Sequence, residues 1–450
     1  MRVRCSLFRR FRDRGKEKRR KTGALQNLAV RLRCMEIGSW AALCAAVTFT
    51  AAPSFAADTP VAGPKVFLLD ARQIQTAKQR IQGGDTNYTA ALEQLRGDAN
   101  EALQAGPFSV VTKSITPPSG DKHDYMSLGP YWWPDTNSPD GLPYIRRDGE
   151  RNPEISRISD RRNLSRMISS VETLALGHYF TGDEAYAAGA AKLLRAWFLD
   201  PETRMNPNLQ FGQGVPGRST GRGIGLIETS GLVDVVDAVG LLAGSKSWTE
   251  ADQRGMEDWF TKFIEWMLES PYGRDEAAAR NNHGTYYDMQ VASFALFLDK
   301  PDLARNVLSG AAEKRIARQV EPDGRQPLEL ARTRSWGYST MNLRGLMSLA
   351  TLGRHVGVDL WNYQTPDGRS IRKALDYLVP FATGEQSWAH QQISERAGGG
   401  LASALQDAAI HYPDANYREL LSKVRSRTDT SNRNQLLRRP LDPERPSDTP

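Results

Sequence analysis

The chain has 450 residues, of which 40% are hydrophobic and 25% are charged, and its formal net charge is +7. This composition supports one large hydrophobic core or two smaller ones, and it excludes both a disordered chain and a bundle of membrane helices. The positive charge lies at the front, where residues 1–34 hold 13 lysines and arginines against Asp13 and Glu17. The charge therefore describes one segment and not the whole protein.

An apolar run from Trp40 to Ala52, followed by small residues up to Ala57, comes directly after the basic stretch. This order is typical of a secretory signal peptide, cleaved here after Ala56 or Ala57, with Met35 as a possible true start. The run is too short for a comfortable membrane span. We predict a periplasmic or secreted protein with no integral membrane span after cleavage; a nucleic-acid-binding arm is the alternative interpretation.

Removal of residues 1–57 leaves 46 basic and 49 acidic residues, a net charge of −3, so nucleic acid loses its compositional support as a partner. All three cysteines, Cys5, Cys34 and Cys44, lie in the removed part. The remaining chain then has no disulfide, no cysteine-bound zinc and no thiol nucleophile, which suits a bacterial periplasm. Residues 425–450 are polar and rich in arginine and proline, and we predict a disordered tail there.

Apolar residues recur at helical spacing in one segment after another from about residue 160 onward. One series is Leu164, Met167, Ile168, Val171 and Leu174, and no comparable series of alternating strands follows. Amphipathic helices joined by short turns pack as layered hairpins. We therefore predict an all-α domain over residues 58–424, an α/α toroid of six or seven helical hairpins.

Residues 108–154 interrupt the helical pattern with a stretch rich in proline, glycine and aromatic residues. The stretch is too long for an idle connector, so we expect an irregular loop over a cleft. It contains Tyr131, Trp132 and Trp133 beside prolines. Rings in such a stretch cannot all face a core, so some ring area is available to stack on a sugar, unless the loop is a plug packed against the helices.

Two further clusters place polar groups at predicted helix starts. Residues 280–284, Arg-Asn-Asn-His-Gly, put amide donors and an imidazole near the positive end of a helix dipole, which favours a carboxylate ligand. Residues 329–339 put Arg332 and Arg334 within six residues of Tyr338, and their charge would lower the pKa of the phenol from about 10 by stabilising phenolate. Taken alone, the first cluster also fits a helix cap and the second a solvated helix start.

Signals for other chemistry are weak. The six histidines show no two-histidine spacing of a metal site, and no nucleophile-elbow serine motif is present. The glycine-rich segment around Arg222 lacks the preceding strand and the lysine of a phosphate-binding loop. We therefore predict no catalytic metal and no cofactor.

As a set and in this order, the motifs resemble those of the alginate lyase family. The similarity is to the helical alginate and glucuronan lyases of polysaccharide lyase families five and thirty-eight, the second more closely. It covers roughly residues 100–390 and rests on residues 131–135, 182–207, 281–284 and 329–339. The resemblance implies an incomplete α/α toroid with a long cleft, which cuts uronic-acid polymers by metal-independent β-elimination.

The resemblance also implies catalytic residues: Asn282, His283, Tyr338 and one of Arg332 or Arg334. Elimination requires neutralisation of the carboxylate beside the C5 proton, which Asn282, His283 and an arginine can provide. Tyr338 can serve as base and acid when that proton and the leaving O4 lie on one face of the sugar, whereas His283 would be the base for the opposite face. The implied partner is an anionic polysaccharide, either alginate or glucuronan.

Position alone predicts His123, Tyr125 and Arg222 as further substrate-binding residues, in addition to the stacking rings of Tyr131, Trp132 and Trp133. A net charge of −3 does not suit a polyanion binder globally, so we predict a locally positive cleft.

Two alternative functions stay open at this point. A glycoside hydrolase on the same toroid needs two carboxylates that face the scissile bond, and Asp160, Glu228 and Glu329 are available. A non-catalytic polysaccharide-binding protein would keep the cleft, but binding alone needs neither His283 nor Tyr338.

Overall fold

The computed structural model describes residues 63–394, 401–424 and 432–438. The predicted signal peptide and its cleavage site lie outside the described residues. Within those residues, no helix is both long enough and apolar enough to cross a membrane.

Helices dominate the described chain, as the apolar spacing predicts, and the all-α class is confirmed. The helices are α1 (Ala71–Gln82), α2 (Thr89–Ala102), α3 (Asp160–Thr181), α4 (Glu184–Leu194), α5 (Leu232–Leu241), α6 (Glu250–Glu269), α7 (Pro271–Ala278), α8 (Asn282–Phe297), α9 (Pro301–Ala311), α10 (Ala317–Gln319), α11 (Pro327–Leu330), α12 (Ser335–Arg354), α13 (Ile371–Ala382), α14 (Ala402–His411), α15 (Tyr417–Val424) and α16 (Asn434–Leu437).

Local signals set several of the helix ends. Gly182 adopts a left-handed conformation, φ 74°, that ends α3, and the side chain of Asp183 accepts the backbone N–H of Ala185 to begin α4. Thr249 and Asp252 form a reciprocal capping box at the start of α6. These turns are therefore encoded by the residues that stand in them.

An inner row of helices runs through the fold. Helix α3 contacts α5, α5 contacts α8, and α8 contacts α12, while α2 and α4 pack outside α3, α9 outside α8 and α13 outside α12. This two-layered arrangement is that of the predicted α/α toroid. The N-terminal turns of α3, α8 and α12 supply residues to one cleft, so three positive helix ends lie at the same place.

Four short strands lie in the connections between helices: β1 (Met126–Leu128), β2 (Trp132–Trp133), β3 (Ile145–Arg146) and β4 (Phe211–Gly214). Strand β1 pairs in parallel with β4, and β2 pairs antiparallel with β3 so that Trp132 opposes Arg146. The two small sheets give the 108–154 loop a defined shape beside the cleft.

A buried ion pair fixes the base of this loop. The Lys113 ammonium lies 3.0 Å from the Asp160 carboxylate and donates hydrogen bonds to the carbonyls of Val110 and Lys122. Both charged side chains are fully buried, so removing either partner would leave the other charge uncompensated. The pair therefore joins the loop to the first turn of α3.

The segment before α1 is joined to α5 through one carboxylate. Asp237 is 3% exposed and accepts the backbone N–H groups of Phe67, Leu68 and Leu69 at 2.6, 2.9 and 2.7 Å. Burial raises the pKa of Asp237 to about 6, while these three hydrogen bonds oppose the shift.

Part of the expected disordered tail is instead packed against the domain. Helix α16 contacts α1 and α2, and its Leu436 and Leu437 are buried. Arg433 donates to Thr173 Oγ1 at 2.9 Å, and Arg438 forms an ion pair with Asp407 at 2.9 Å. Two leucines and two arginines within a polar stretch dock residues 432–438, a feature that the average composition conceals.

Candidate active site

The cleft has a volume of about 1040 Å³ and lies at the N-terminal ends of the inner helices. Its charged lining residues are six arginines and three carboxylates: Arg146, Arg161, Arg222, Arg332, Arg334, Arg344, Glu172, Glu228 and Asp234. This excess of positive charge agrees with the locally positive cleft expected from the sequence.

Tyr338 lies in the first turn of α12 with its hydroxyl held on two sides. Arg332 Nη2 donates to Tyr338 Oη at 2.8 Å, and Tyr338 Oη donates to Tyr131 Oη at 2.8 Å. The guanidinium of Arg332 also stacks on the phenol ring, 3.7 Å from its centroid. Asp148 accepts hydrogen bonds from Nε and Nη2 of Arg332 at 3.0 and 2.7 Å, so Nη2 is shared between Asp148 and Tyr338. The phenol is thereby oriented in the cleft by residues from two distant parts of the chain.

The expected lowering of the Tyr338 pKa is wrong. Burial raises the pKa of Tyr338 above its ordinary value, and the hydrogen bond to Tyr131 adds to this shift, whereas Arg332 opposes it. The charge of Arg332 is shared with Asp148, so it stabilises phenolate less than a free guanidinium would. The resting side chain is therefore a neutral phenol that can donate a proton.

Arg332 and Arg334 both line the cleft, but in different ways. Arg332 is committed to Asp148 and Tyr338. Arg334 donates through Nε to Ser394 Oγ at 3.1 Å and forms no ion pair with any carboxylate of the described residues. Arg334 is thus the arginine with charge left to offer a ligand.

His283 lies in the first turn of α8 and is oriented by a buried glutamate. Its Nδ1 lies 2.7 Å from Glu276 Oε1, and the Glu276 side chain is 1% exposed. Burial raises the pKa of Glu276, while its contact with His283 opposes the shift. When Glu276 accepts the Nδ1 proton, Nε2 carries the free lone pair, which is the tautomer a base requires.

Asn282 is fixed by a second buried glutamate. The backbone N–H and the side-chain amide of Asn282 donate to the two carboxylate oxygens of Glu329, each at 2.7 Å. The carboxylate lies at the N-terminus of α8, where the helix dipole favours negative charge. One amide N–H of Asn282 is therefore used within the protein, which reduces the hydrogen-bonding capacity expected for a substrate carboxylate.

Three of the six predicted substrate-binding residues lie in the cleft wall: Tyr131, Trp132 and Arg222. Arg222 donates to the backbone and side-chain oxygens of Gln213 at 2.8 and 3.1 Å. Burial lowers the pKa of Arg222 to about 10, and nearby Arg146 adds to this shift. The guanidiniums of Arg222 and Arg218 lie 5.5 and 5.3 Å from the Trp132 ring centre, so this ring is framed by cations.

The other three predicted binding residues, His123, Tyr125 and Trp133, lie elsewhere. Tyr125 is fully buried and donates to Glu228, and His123 Nδ1 donates to the carbonyl of Arg204. Trp133 donates to the carbonyl of Glu150, on the opposite side of the strand from Trp132. The loop is therefore both a plug and a wall, because Tyr125 is buried in the core whereas Tyr131 and Trp132 line the cleft.

The carboxylates considered for a hydrolase are all engaged. Asp160 pairs with Lys113, Glu329 accepts from Asn282, and Glu228 accepts the hydroxyls of Tyr125 and Ser127 at 2.7 Å. These three side chains hold the fold together and do not form an acid and base pair across a sugar.

In the described part of the chain, no group of three histidine, cysteine or acidic side chains is arranged to hold a metal ion. The absence of a catalytic metal stays a prediction. Two residues of the site, Glu276 and Asp148, are absent from the sequence-based list. Glu276 precedes His283 by seven residues, whereas Asp148 has no local signal that connects it to Arg332.

The sequence model of the alginate lyase family matches residues 109–388. A solved alginate lyase from Bacteroides ovatus is 41% identical, with a TM-score of 0.80, and the match covers 83% of this chain and 99% of that one. Alginate lyase A1-III from Sphingomonas species A1 is 16% identical, with a TM-score of 0.56, over 85% of this chain and 97% of that one. No curated protein matches the chain.

A histidine-to-alanine variant of the Sphingomonas enzyme, solved in complex with a tetrasaccharide, is also similar, with 16% identity and a TM-score of 0.55 over 86% of this chain and 98% of that one. The toroid, the arginine-lined cleft and these matches together define a helical polysaccharide lyase. The chain belongs to the alginate lyase family.

Proposed function

We propose that the protein cleaves a uronic-acid polymer by β-elimination without a metal ion. The observation that carries this proposal is the hydroxyl of Tyr338, held between Arg332 and Tyr131 in a cleft that also contains His283 and an excess of arginine. The tetrasaccharide bound to the Sphingomonas relative supports an anionic saccharide chain as the substrate.

In the proposed reaction, a base removes the C5 proton, the C4=C5 double bond forms, and the C4–O4 bond breaks. The departing O4 takes a proton from an acid, so the products are an unsaturated uronate and a new chain end. Tyr338 is the acid, because burial keeps its phenol protonated and its hydroxyl is fixed in the cleft. A positioned acid or base of this kind contributes roughly 10² to 10⁴-fold in rate.

The base depends on the sugar. Where the C5 proton and O4 lie on opposite faces, His283 removes the proton through Nε2, with Nδ1 held by Glu276. Where both lie on one face, Tyr338 first loses its phenol proton to solvent with Arg332 beside it, and the phenolate then removes the C5 proton and returns it to O4. The C5 carboxylate is neutralised by Arg334 and Asn282, because Arg332 is already paired with Asp148.

The proposal also includes the cellular location of the protein. The basic stretch, the apolar run and the small residues before Asp58 support export to the periplasm or the medium. Cell fractionation followed by N-terminal sequencing of the exported chain tests this part, and a cytoplasmic protein with an intact N-terminus would refute it.

The test of activity is the ultraviolet absorbance of the C4=C5 double bond. The purified protein is incubated with polymannuronate, polyguluronate and glucuronan in separate cuvettes, each with and without a chelator. We expect a rise on at least one polymer that is equal in both conditions. New reducing ends without absorbance would indicate a hydrolase, and a flat trace for all three polymers would refute the proposed substrate class.

A further inference from the structure

Arg161 is a cleft residue that the proposed reaction leaves unused. It lies in the first turn of α3, lines the cleft, and has a side chain that is 35% exposed. An arginine at the positive end of a helix dipole is electrostatically unfavourable. Its position therefore needs an explanation beyond the stability of α3.

The protein neutralises this guanidinium only in part. Arg161 Nη1 lies 3.4 Å from Glu228 Oε1, and neither atom has a hydrogen-bond partner among the described residues although both are buried. The other carboxylate oxygen of Glu228 is taken by the hydroxyls of Tyr125 and Ser127. Glu228 is thus fixed as a support behind Arg161, and the donors of Arg161 are not used up.

Arg334 lines the same cleft as Arg161. It makes no ion pair with a carboxylate in the described ranges, so Glu228 is the one ion-pair partner that these two guanidiniums have there. Such an excess of like charge in a cleft attracts a ligand anion.

We infer that Arg161 and Arg334 form a second carboxylate subsite, which holds the uronate unit next to the one that is cleaved. This inference rests on the proposed function, since a polymer with a carboxylate on each sugar presents its anions at regular intervals. Arg334 joins the two positions, because it lies in the same turn as Tyr338. Glu228 is the positioning residue that directs Arg161 toward the cleft.

The test compares chain lengths in a protein that binds without turnover. Calorimetry gives the Kd of mannuronate, guluronate and glucuronate tetramers and dimers. The proteins compared are Tyr338→Phe alone and Tyr338→Phe combined with Arg161→Gln, Arg161→Lys or Arg166→Gln. Arg166 is the matched control, since it lies on α3 with its guanidinium over the Phe108 ring. Thermal unfolding confirms that each variant is folded.

We expect Arg161→Gln to weaken tetramer binding by about tenfold or more and to reduce the advantage of the tetramer over the dimer. The tetramer affinity of the Arg161→Lys variant should lie between that of Tyr338→Phe alone and that of the Arg161→Gln variant, because lysine keeps the charge and loses the forked donors. Unchanged tetramer affinity in a folded Arg161→Gln protein, while the wild type still releases unsaturated products, would overturn the subsite alone. Absence of both binding and turnover for every uronate would overturn the proposed function with it.

Discussion

Asp148 and Arg332, 184 residues apart in the chain, form a two-point ion pair beside Tyr338. The carboxylate also accepts the backbone N–H of Thr333, so it contacts the segment that leads into α12 at two residues. The pair connects the 108–154 loop, which carries Tyr131, to the residues that carry Tyr338. The position of the loop and the orientation of the phenol are therefore set together.

Replacement of Asp148 by asparagine tests this connection. The amide offers Arg332 one accepting oxygen instead of two and carries no charge, so we expect kcat to fall about tenfold with a smaller change in KM. Asp140→Asn in the same loop is the control, because the Asp140 carboxylate bonds only within its own turn, to Ser138 and Leu142. Equal kinetics of the two variants would show that the pair does not position the site.

The same pair gives a pH dependence of stability. Burial alone would raise the pKa of Asp148, but its bonds to Arg332 and Thr333 hold the pKa below the ordinary value. The stabilisation by this ion pair is fully present above about pH 4, which is near the pKa of aspartate in an unfolded chain, and it is lost as the pH falls further. Denaturant titrations measure how far the free energy of unfolding of Asp148→Asn lies below that of the wild type. This difference should be smaller at pH 3 than at pH 6.

Tyr338→Phe should abolish turnover and keep binding. Loss of the positioned proton donor lowers kcat by roughly 10² to 10⁴-fold, while the ring still stacks on Arg332. Tyr179→Phe on α3 is the control, since the Tyr179 ring lies outside the cleft against Lys78 and Phe180. Full activity of Tyr338→Phe on every cleaved polymer would rule out its role in proton transfer.

Arg332→Lys and Arg334→Lys should separate orientation from carboxylate binding. Lysine at 332 cannot hold Asp148 and Tyr338 together, so we expect kcat to fall with little change in KM. Lysine at 334 keeps the charge but loses the fork that receives a carboxylate, so KM should rise by about tenfold. Steady-state kinetics of both variants on one polymer test these expectations. A raised KM for Arg332→Lys and a lowered kcat for Arg334→Lys would assign carboxylate binding to Arg332 and orientation to Arg334.

Asp237→Asn should destabilise the domain by about 2 kcal/mol, because the amide brings N–H groups toward three backbone donors. The pKa of Asp237 is about 6 when folded and about 3.9 in an unfolded chain. Between these values the unfolded chain loses the proton first, so the wild-type free energy of unfolding falls as the pH rises.

The loss in free energy of unfolding caused by Asp237→Asn, relative to the wild type, should therefore be larger at pH 4 than at pH 7. Chemical denaturation at both values measures it, with the exposed Asp258→Asn on α6 as the control. A deficit that grows with pH would show that the buried carboxylate is stabilised when ionised, contrary to its raised pKa.

Local chemistry explains which predictions succeed. The left-handed Gly182, the capping box of Thr249 and Asp252, and the apolar spacing of α3 each act within a few residues, so sequence reasoning can identify them. The start of α8 at Asn282 follows from the same signals. These features determine most of the helical fold.

The misplaced residues depend on long-range contacts. Nothing near Asp148 or Arg332 indicates that they meet, and the pKa of Tyr338 is raised by burial and by the hydrogen bond to the distant Tyr131. Trp132 and Trp133 are adjacent and identical, yet only the first lines the cleft, which is decided by the register of β2 on β3. Position in the chain cannot supply such information.

The docked α16 has a consequence for how the domain is assembled during synthesis. Its leucines complete the surface of α1 and α2, and Arg433 bonds to Thr173, 260 residues earlier. Contacts between such distant positions close a long loop of chain at an entropic cost. The first two described helices, α1 and α2, thus wait for nearly the whole chain before their last partner arrives, and a gene shortened after residue 424 would leave this apolar surface open to aggregation.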